Sequence, residues 1–314
     1  MRRSSYEKID YSIRPAKQIE RKMLCEVFLC LSEFGSVKDY RYIGFGSTYF
    51  RDFILIHKVL GITNMISIEG DVKNKKRFLF NQPYSCVDIK FGHSNKILPD
   101  LIGDVRTILW LDYDYRLDTT VLADISWFCT KAISGSVLIV TVDAKPDKHP
   151  INKVSEFIKR VGRSKFPRNI KEKDLTDWGT AQVSRTVIHN HIDEELDTRN
   201  GGRHDGSKFK YQQLFNFHYK DGAKMFSVGG ILFDQGNEPK YNACQFDRFP
   251  FVRKDKEPYL IKVPKLTSKE ILHLDAQLPE SDLTKVTGQS IPPEDIKNYS
   301  ELYRYFPKFA EVDK

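Results

Sequence analysis

Between residues 40 and 142 strand and helix signals alternate: five short runs read as strands, and a helix from about Tyr49 to Leu60, closed by Gly61, follows the first of them. Residues 40–46, 65–69, 85–91, 107–112 and 136–142 read as the five strands. The last is apolar throughout its centre, as expected of a strand buried on both faces. Strands that alternate with helices demand a parallel sheet covered by helices. Ahead of them, Ile19, Met23, Val27, Leu31 and Phe34 mark a helix that stops at Gly35. Behind them, residues 209–219 and 223–233 read as two strands joined by a Lys220-Asp221-Gly222 hairpin turn. Five parallel strands closed by an antiparallel pair is a specific α/β layout.

Three segments follow. Residues 1–36 form an N-terminal helical segment, 37–236 the α/β domain, and 237–314 an extension packed on the core or forming a small lobe. Within the domain, residues 145–208 lose the alternation and read as a charged insertion with one helix near 154–161. In the extension, Leu266-Thr267-Ser268-Lys269-Glu270 is a capping box that opens a short helix. Residues 300–309 are rich in aromatic side chains, and no internal repeat is visible.

Composition narrows the function classes. With 40% hydrophobic and 29% charged residues the chain is neither fibrous nor disordered. No apolar run reaches the ~18 residues of a membrane span, and the basic start, Met1-Arg2-Arg3, leads into no signal-like stretch. A cytoplasmic protein without membrane contact is expected. Cys25, Cys30, Cys86, Cys129 and Cys244 form no paired motif and read as buried, reduced thiols. The net charge of +8 and the pI near 9.0 favour anionic partners, a small molecule or nucleic acid. Ten basic residues fall between Lys145 and Lys173, and seven lie in the first 22 residues.

In an open α/β sheet, ligands bind beyond the carboxyl ends of the strands at the switch point. Three features meet that condition. Gly44-Phe45-Gly46-Ser47-Thr48 is a strand-to-helix turn of small residues. Glu69 ends the next strand, where a carboxylate accepts the hydroxyls of a ribose. Gly92-His93-Ser94 follows the third strand, where a nucleobase would lie.

On these residues the chain resembles the class I S-adenosylmethionine-dependent methyltransferases, and more narrowly a bacterial O-methyltransferase group of undefined substrate. The resemblance covers about residues 38–235. It places the family's glycine motif on residues 42–48, its ribose acid on Glu69, its adenine loop on Gly92, His93 and Ser94, and its fourth-strand acid on Asp112. It implies a Rossmann-like fold and S-adenosylmethionine as cofactor, with Gly44, Phe45, Gly46 and Ser47 beside the methionine part. Three positions depart from the pattern. Tyr42 stands where an acid is usual, Thr48 replaces the third glycine, and His93 or Ser94 replaces the adenine-binding acid.

The acceptor side is carried by Asp112 and Asp114, which alternate along the fourth strand and can face one cleft. One of them would orient the acceptor or take its proton. Methyl transfer needs no metal. Arg14, Lys17 and Arg21, near helical spacing, are candidates for holding an anionic substrate. The basic stretch after Lys145 is expected to cover the acceptor. His189-Asn190-His191 through Glu195 lacks a ligand set of suitable spacing and reads as a solvated or substrate-facing cap. Two rival functions stay open at this point: a nucleotide- or nucleic-acid-binding protein that keeps the fold without transfer, and a metal-dependent hydrolase using Asp112 and Asp114. The acceptor and the oligomeric state are not encoded in any motif.

Overall fold

The computed structural model describes residues 14–147 and 151–307. The basic N-terminal residues through 13, Lys148, and the last residues of the aromatic-rich tail therefore lie outside the described residues.

The chain opens with α1 (Pro15–Leu29), with its proline in the first turn. Then come β1 (Arg41–Gly44), α2 (Arg51–Leu60), β2 (Asn64–Glu69), α3 (Lys75–Phe80), β3 (Val87–Phe91) and the single turn α4 (Ser94–Ile97). β4 (Thr107–Asp112), α5 (Thr119–Lys131) and β5 (Ser136–Asp143) complete the parallel set. The carboxylate of Asp118 caps α5, accepting from the amides of Thr120 and Val121 at 2.9 and 3.1 Å. Helix α2 ends at Gly61, whose φ of 69° is the left-handed stop that glycine adopts at low cost.

Two helices, α6 (Lys153–Val161) and α7 (Gly179–Asn200), precede the hairpin strands β6 (Phe209–Asp221) and β7 (Ala223–Asp234). The sequence reading anticipated only the first helix. α7 went unseen because its buried residues, from Thr180 to Leu196, include Thr, Ser and His as well as aliphatic side chains, so its apolar stripe is interrupted. Beyond the hairpin lie α8 (Glu238–Ala243), β8 (Tyr259–Ile261), α9 (Ser268–Asp275) and α10 (Pro293–Leu302). The Thr267–Glu270 capping box is formed at the start of α9.

Among the described residues, eight strands form one sheet in the order β3-β2-β1-β4-β5-β7-β6-β8. β1 is parallel to both β2 and β4, and β7 is antiparallel to β5 and β6. This is the Rossmann-like class I methyltransferase sheet, with β8 added at its edge by the extension through parallel pairing with β6. The chain runs outward from β1 to β3 and then returns to β4 beside β1, so the switch point lies between β1 and β4.

The sheet is buried on both faces. Along β4, Ile108 and Trp110 enter one core with α1 and α2, while Leu109 and Leu111 enter the other with α5 and α7. Residues of the extension join the first core through Phe246, Phe249, Phe251, Tyr259, Leu302 and Tyr305. A third, smaller cluster around Leu274, Val286, Ile291 and Tyr299 holds the extension's own helices together. The extension also grips α1: Glu26 accepts from Arg304 at 2.7 Å and from the Tyr305 hydroxyl, and Lys22 donates to the carbonyl of Phe306 at 3.2 Å. Cys25, Cys30, Cys129 and Cys244 are buried and Cys86 half-buried, all as free thiols.

Candidate active site

A cleft of about 350 Å³ opens at the switch point, within the size range of small-molecule sites. Phe45, Gly46 and Ser47 from the turn after β1, Glu69 and Gly70 from the end of β2, and Gly92, His93 and Ser94 after β3 line it. Asp112 and Asp114 border it from the end of β4, with Tyr113 and Tyr115 beside them, and Arg14 and Arg21 face it from α1 and its entry. Eleven of the thirteen residues singled out above therefore share one cavity; Gly44 and Lys17 stand outside its wall.

Both exceptions have a physical reason. At Gly44 an added Cβ would lie 2.7 Å from the Tyr42 hydroxyl oxygen and 3.2 Å from Asp52 Oδ2. The missing side chain leaves room for a hydrogen bond from Tyr42 to Asp52, not for a ligand. That contact also answers the departure at Tyr42: where an acid is usual, the tyrosine fixes a carboxylate delivered from the first turn of α2. Asp52 lines the cleft, and burial raises its pKa, with Arg21 acting in the opposite direction. Gly46 is packed as tightly, since a Cβ there would meet the Phe50 ring at 2.4 Å.

Lys17 is wholly buried. Its Nζ lies 2.8 Å from Glu20 Oε2 and 2.9 Å from Asp112 Oδ1, 4.4 Å over the Trp110 ring. It is therefore a structural counter-ion to Asp112, and the expectation that it contacts substrate is corrected. An ammonium already seated on Asp112 also argues against the hydrolase alternative. Among the described residues, no group of three or more His, Cys, Asp or Glu is arranged to hold a metal ion.

Glu69 is buried in the cleft wall. It accepts from Ser67 Oγ at 2.7 Å, and Ser67 in turn accepts from the amide of Gly46 at 3.0 Å. This chain ties the ribose-acid position to the glycine turn. Burial raises the Glu69 carboxyl to about 7, against the opposing hydrogen bonds from Ser67 and the turn amides. Ser47 and Phe50 bound that turn in the left-handed region, with φ of 51° and 45°, a strained geometry typical of ligand-facing loops.

The third wall rests on a residue that sequence reasoning missed. Asp124, on α5, accepts hydrogen bonds from both Ser94 and Tyr113, so the adenine-side loop is anchored to that helix. Burial raises the pKa of Asp124. A lone acid on the apolar face of α5 was the available signal. Phe45, Tyr113 and Tyr115 form a row of rings with centroids 5.0 and 4.9 Å apart. Arg14 sits with its Nε 3.9 Å from Asp221 Oδ2.

Two other expectations change. No described residue of the 145–173 basic stretch lines the cleft. Arg160 and Arg116 instead share Asp147, and Lys165 pairs with Glu194. The His189–Glu195 stretch lies in the middle of α7, away from the cleft. His191 is buried against α5, with Nε2 at 2.9 Å from both Ser126 Oγ and the Leu122 carbonyl, and His189 bonds Gln213 at 2.7 Å. It is helix packing, not a cap.

The family model described as "Putative O-methyltransferase" matches residues 9–314. This chain belongs to that family. Membership and sheet order together make it an S-adenosylmethionine-dependent methyltransferase of class I. A search of curated proteins finds no match. Among solved structures, the methyltransferase is similar to Trm1 from Pyrococcus horikoshii in complex with S-adenosyl-L-methionine, at 10% identity and a TM-score of 0.45 over 76% of this chain and 61% of that one. It is also similar to an O-methyltransferase from Bacillus cereus in complex with SAH, at 12% identity and a TM-score of 0.37 over 72% and 86%. The N-terminal domain of EvdMO1 with SAH and D-fucose aligns at 11% identity and a TM-score of 0.40, over 71% of this chain and 84% of that domain. Among the described residues, no helix is long and apolar enough to cross a membrane.

Proposed function

We propose that this methyltransferase binds S-adenosylmethionine in the switch-point cleft and transfers its methyl group to an oxygen of an anionic acceptor. The observation that carries the reading is Glu69: a buried carboxylate at the end of β2, held by Ser67 and facing the cavity. The residues present fit the nucleoside half of the donor. A carboxylate at this place accepts a ribose diol, and the open space beside Gly70 leaves room for it. Phe45, Tyr113, Tyr115 and Phe78 supply ring faces and edges for a purine.

When bound, S-adenosylmethionine supplies a methyl carbon made electrophilic by its sulfonium. The protein's part is orientation and proton removal. Asp112, with Oδ1 anchored on the Lys17 ammonium, is a fixed carboxylate at the cleft floor. It would accept the proton that the acceptor oxygen loses as the methyl carbon passes from sulfur to oxygen, with S-adenosylhomocysteine as the neutral leaving group. Asp114 and Tyr115 line the same end and orient the acceptor. Most of the rate follows from holding two reactants in line rather than from a covalent step on the protein. Arg14 and Arg51 line the cleft and draw an acceptor of negative charge, such as a phosphate-bearing or nucleic-acid-derived molecule.

Calorimetric titration of S-adenosylmethionine into the wild type and a Glu69→Gln variant tests the reading. Micromolar binding to the wild type, weakened at least tenfold in the variant by the loss of charge-assisted hydrogen bonds, is expected. Equal binding to both would place the donor elsewhere.

A further inference from the structure

Beside the glycine turn, two buried opposite charges share the cleft without meeting. Arg21 is 4% exposed, and its Nε and Nη1 are buried with no hydrogen-bond partner. A guanidinium enclosed with open donors is costly until something accepts from it. Asp52 is 9% exposed, with Oδ2 taken by the Tyr42 hydroxyl. Both line the cavity together with Gly46 and Ser47. They are near enough for Arg21 to act electrostatically on Asp52, yet among the described residues no ion pair joins them. Of the other charges nearby, Lys17 holds Asp112 and Glu20 and Arg14 lies 3.9 Å from Asp221, while Arg51, Glu69 and Asp114 line the same cavity.

A separated cation and anion facing one cavity are complementary to a group that carries both charges on adjacent atoms. An α-amino-acid head group is such a group. We infer that Arg21 and Asp52 clamp the zwitterionic end of the methyl donor, Arg21 taking its α-carboxylate and Asp52 its α-ammonium. The inference rests on the donor reading of the cleft given above. It moves Arg21 from the acceptor to the donor. It also gives the cleft a means of rejecting ordinary nucleotides, whose phosphates would satisfy Arg21 but bring a second anion against Asp52.

The test compares two ligands that differ in this end alone. S-adenosylhomocysteine carries the amino-acid head, and 5′-methylthioadenosine lacks it. Calorimetry with the wild type, Arg21→Met and Asp52→Asn reads both affinities. The expected result is a loss of about 20-fold or more for S-adenosylhomocysteine in each variant, as befits a hydrogen-bonded charge, with 5′-methylthioadenosine unchanged. The unchanged ligand also reports that the variants are folded. If a variant that still binds 5′-methylthioadenosine as the wild type does keeps its full affinity for S-adenosylhomocysteine, or if both ligands weaken equally, the clamp is overturned while the donor site stands. If the wild type binds neither ligand, the donor reading falls with it.

Discussion

Donor binding should depend on pH through Glu69, and the burial of that residue sets the midpoint. Its carboxyl titrates near 7 in the ligand-free protein because the ionised form has been withdrawn from water. Accepting two ribose hydroxyls requires the ionised form. Affinity should therefore be nearly full by pH 8 and decline as the pH falls through 7. With a midpoint of 7, about one-eleventh of Glu69 is ionised at pH 6 and about ten-elevenths at pH 8, so the dissociation constant should rise roughly tenfold as the pH falls from 8 to 6. The assay is calorimetry with S-adenosylhomocysteine from pH 6 to 8.5. Asp52 also has a raised pKa and lies in the same cleft, so Glu69→Gln provides the control: its binding is weaker and its profile flatter. The same burial predicts an effect on folding. A raised carboxyl costs nothing below its unfolded value of 4.5 and most above 7, where the shift from 4.5 to about 7 corresponds to about 3 kcal/mol. Glu69→Gln should accordingly melt higher than the wild type at pH 8 and no higher at pH 4. A flat wild-type profile, or an unchanged slope in the variant, would refute the assignment of the proton to Glu69.

Other residues give narrower tests. Lys17→Met strips the counter-ion from Glu20 and Asp112 in a buried place and should cost about 3–5 kcal/mol in chemical denaturation; Lys17→Met with Glu20→Gln should recover part of it. Tyr42→Phe removes the hydroxyl that fixes Asp52 and should cost about 1–3 kcal/mol of stability, with weaker S-adenosylhomocysteine binding measured alongside. His191→Ala should lower the melting temperature by several degrees through lost packing of α7 on α5, yet leave donor affinity unchanged; a change in metal content or in binding would contradict its reading as a packing residue.

Much of the sheet was legible because β4, β5 and their neighbours are apolar on both faces, a pattern that a surface strand does not keep. The glycine turn, Glu69 and the 92–94 loop were legible for a related reason: strand ends at a switch point are where short-range sequence and ligand geometry coincide. What stayed hidden depends on residues far apart in the chain. Asp52 looks like an ordinary first-turn acid of α2, and only the Tyr42 hydroxyl reaching it from β1 shows its place. Lys17 looked like a free cation because Asp112, its partner at 95 residues' separation, is not visible from α1. α7 was hidden by its polar content, and the basic stretch misled because Asp147 and Glu194 neutralise several of its charges internally.

The grip of Glu26 on Arg304 and Tyr305 has a consequence for the order in which the protein becomes competent. Helix α1 is synthesised well before the side chains that brace it, which follow some 280 positions later. Until they arrive, the helix that carries Arg21 and Lys17 lacks part of its support, and the cleft lacks a dependable wall. A nascent chain halted after the hairpin would have the sheet and the glycine turn yet bind donor poorly.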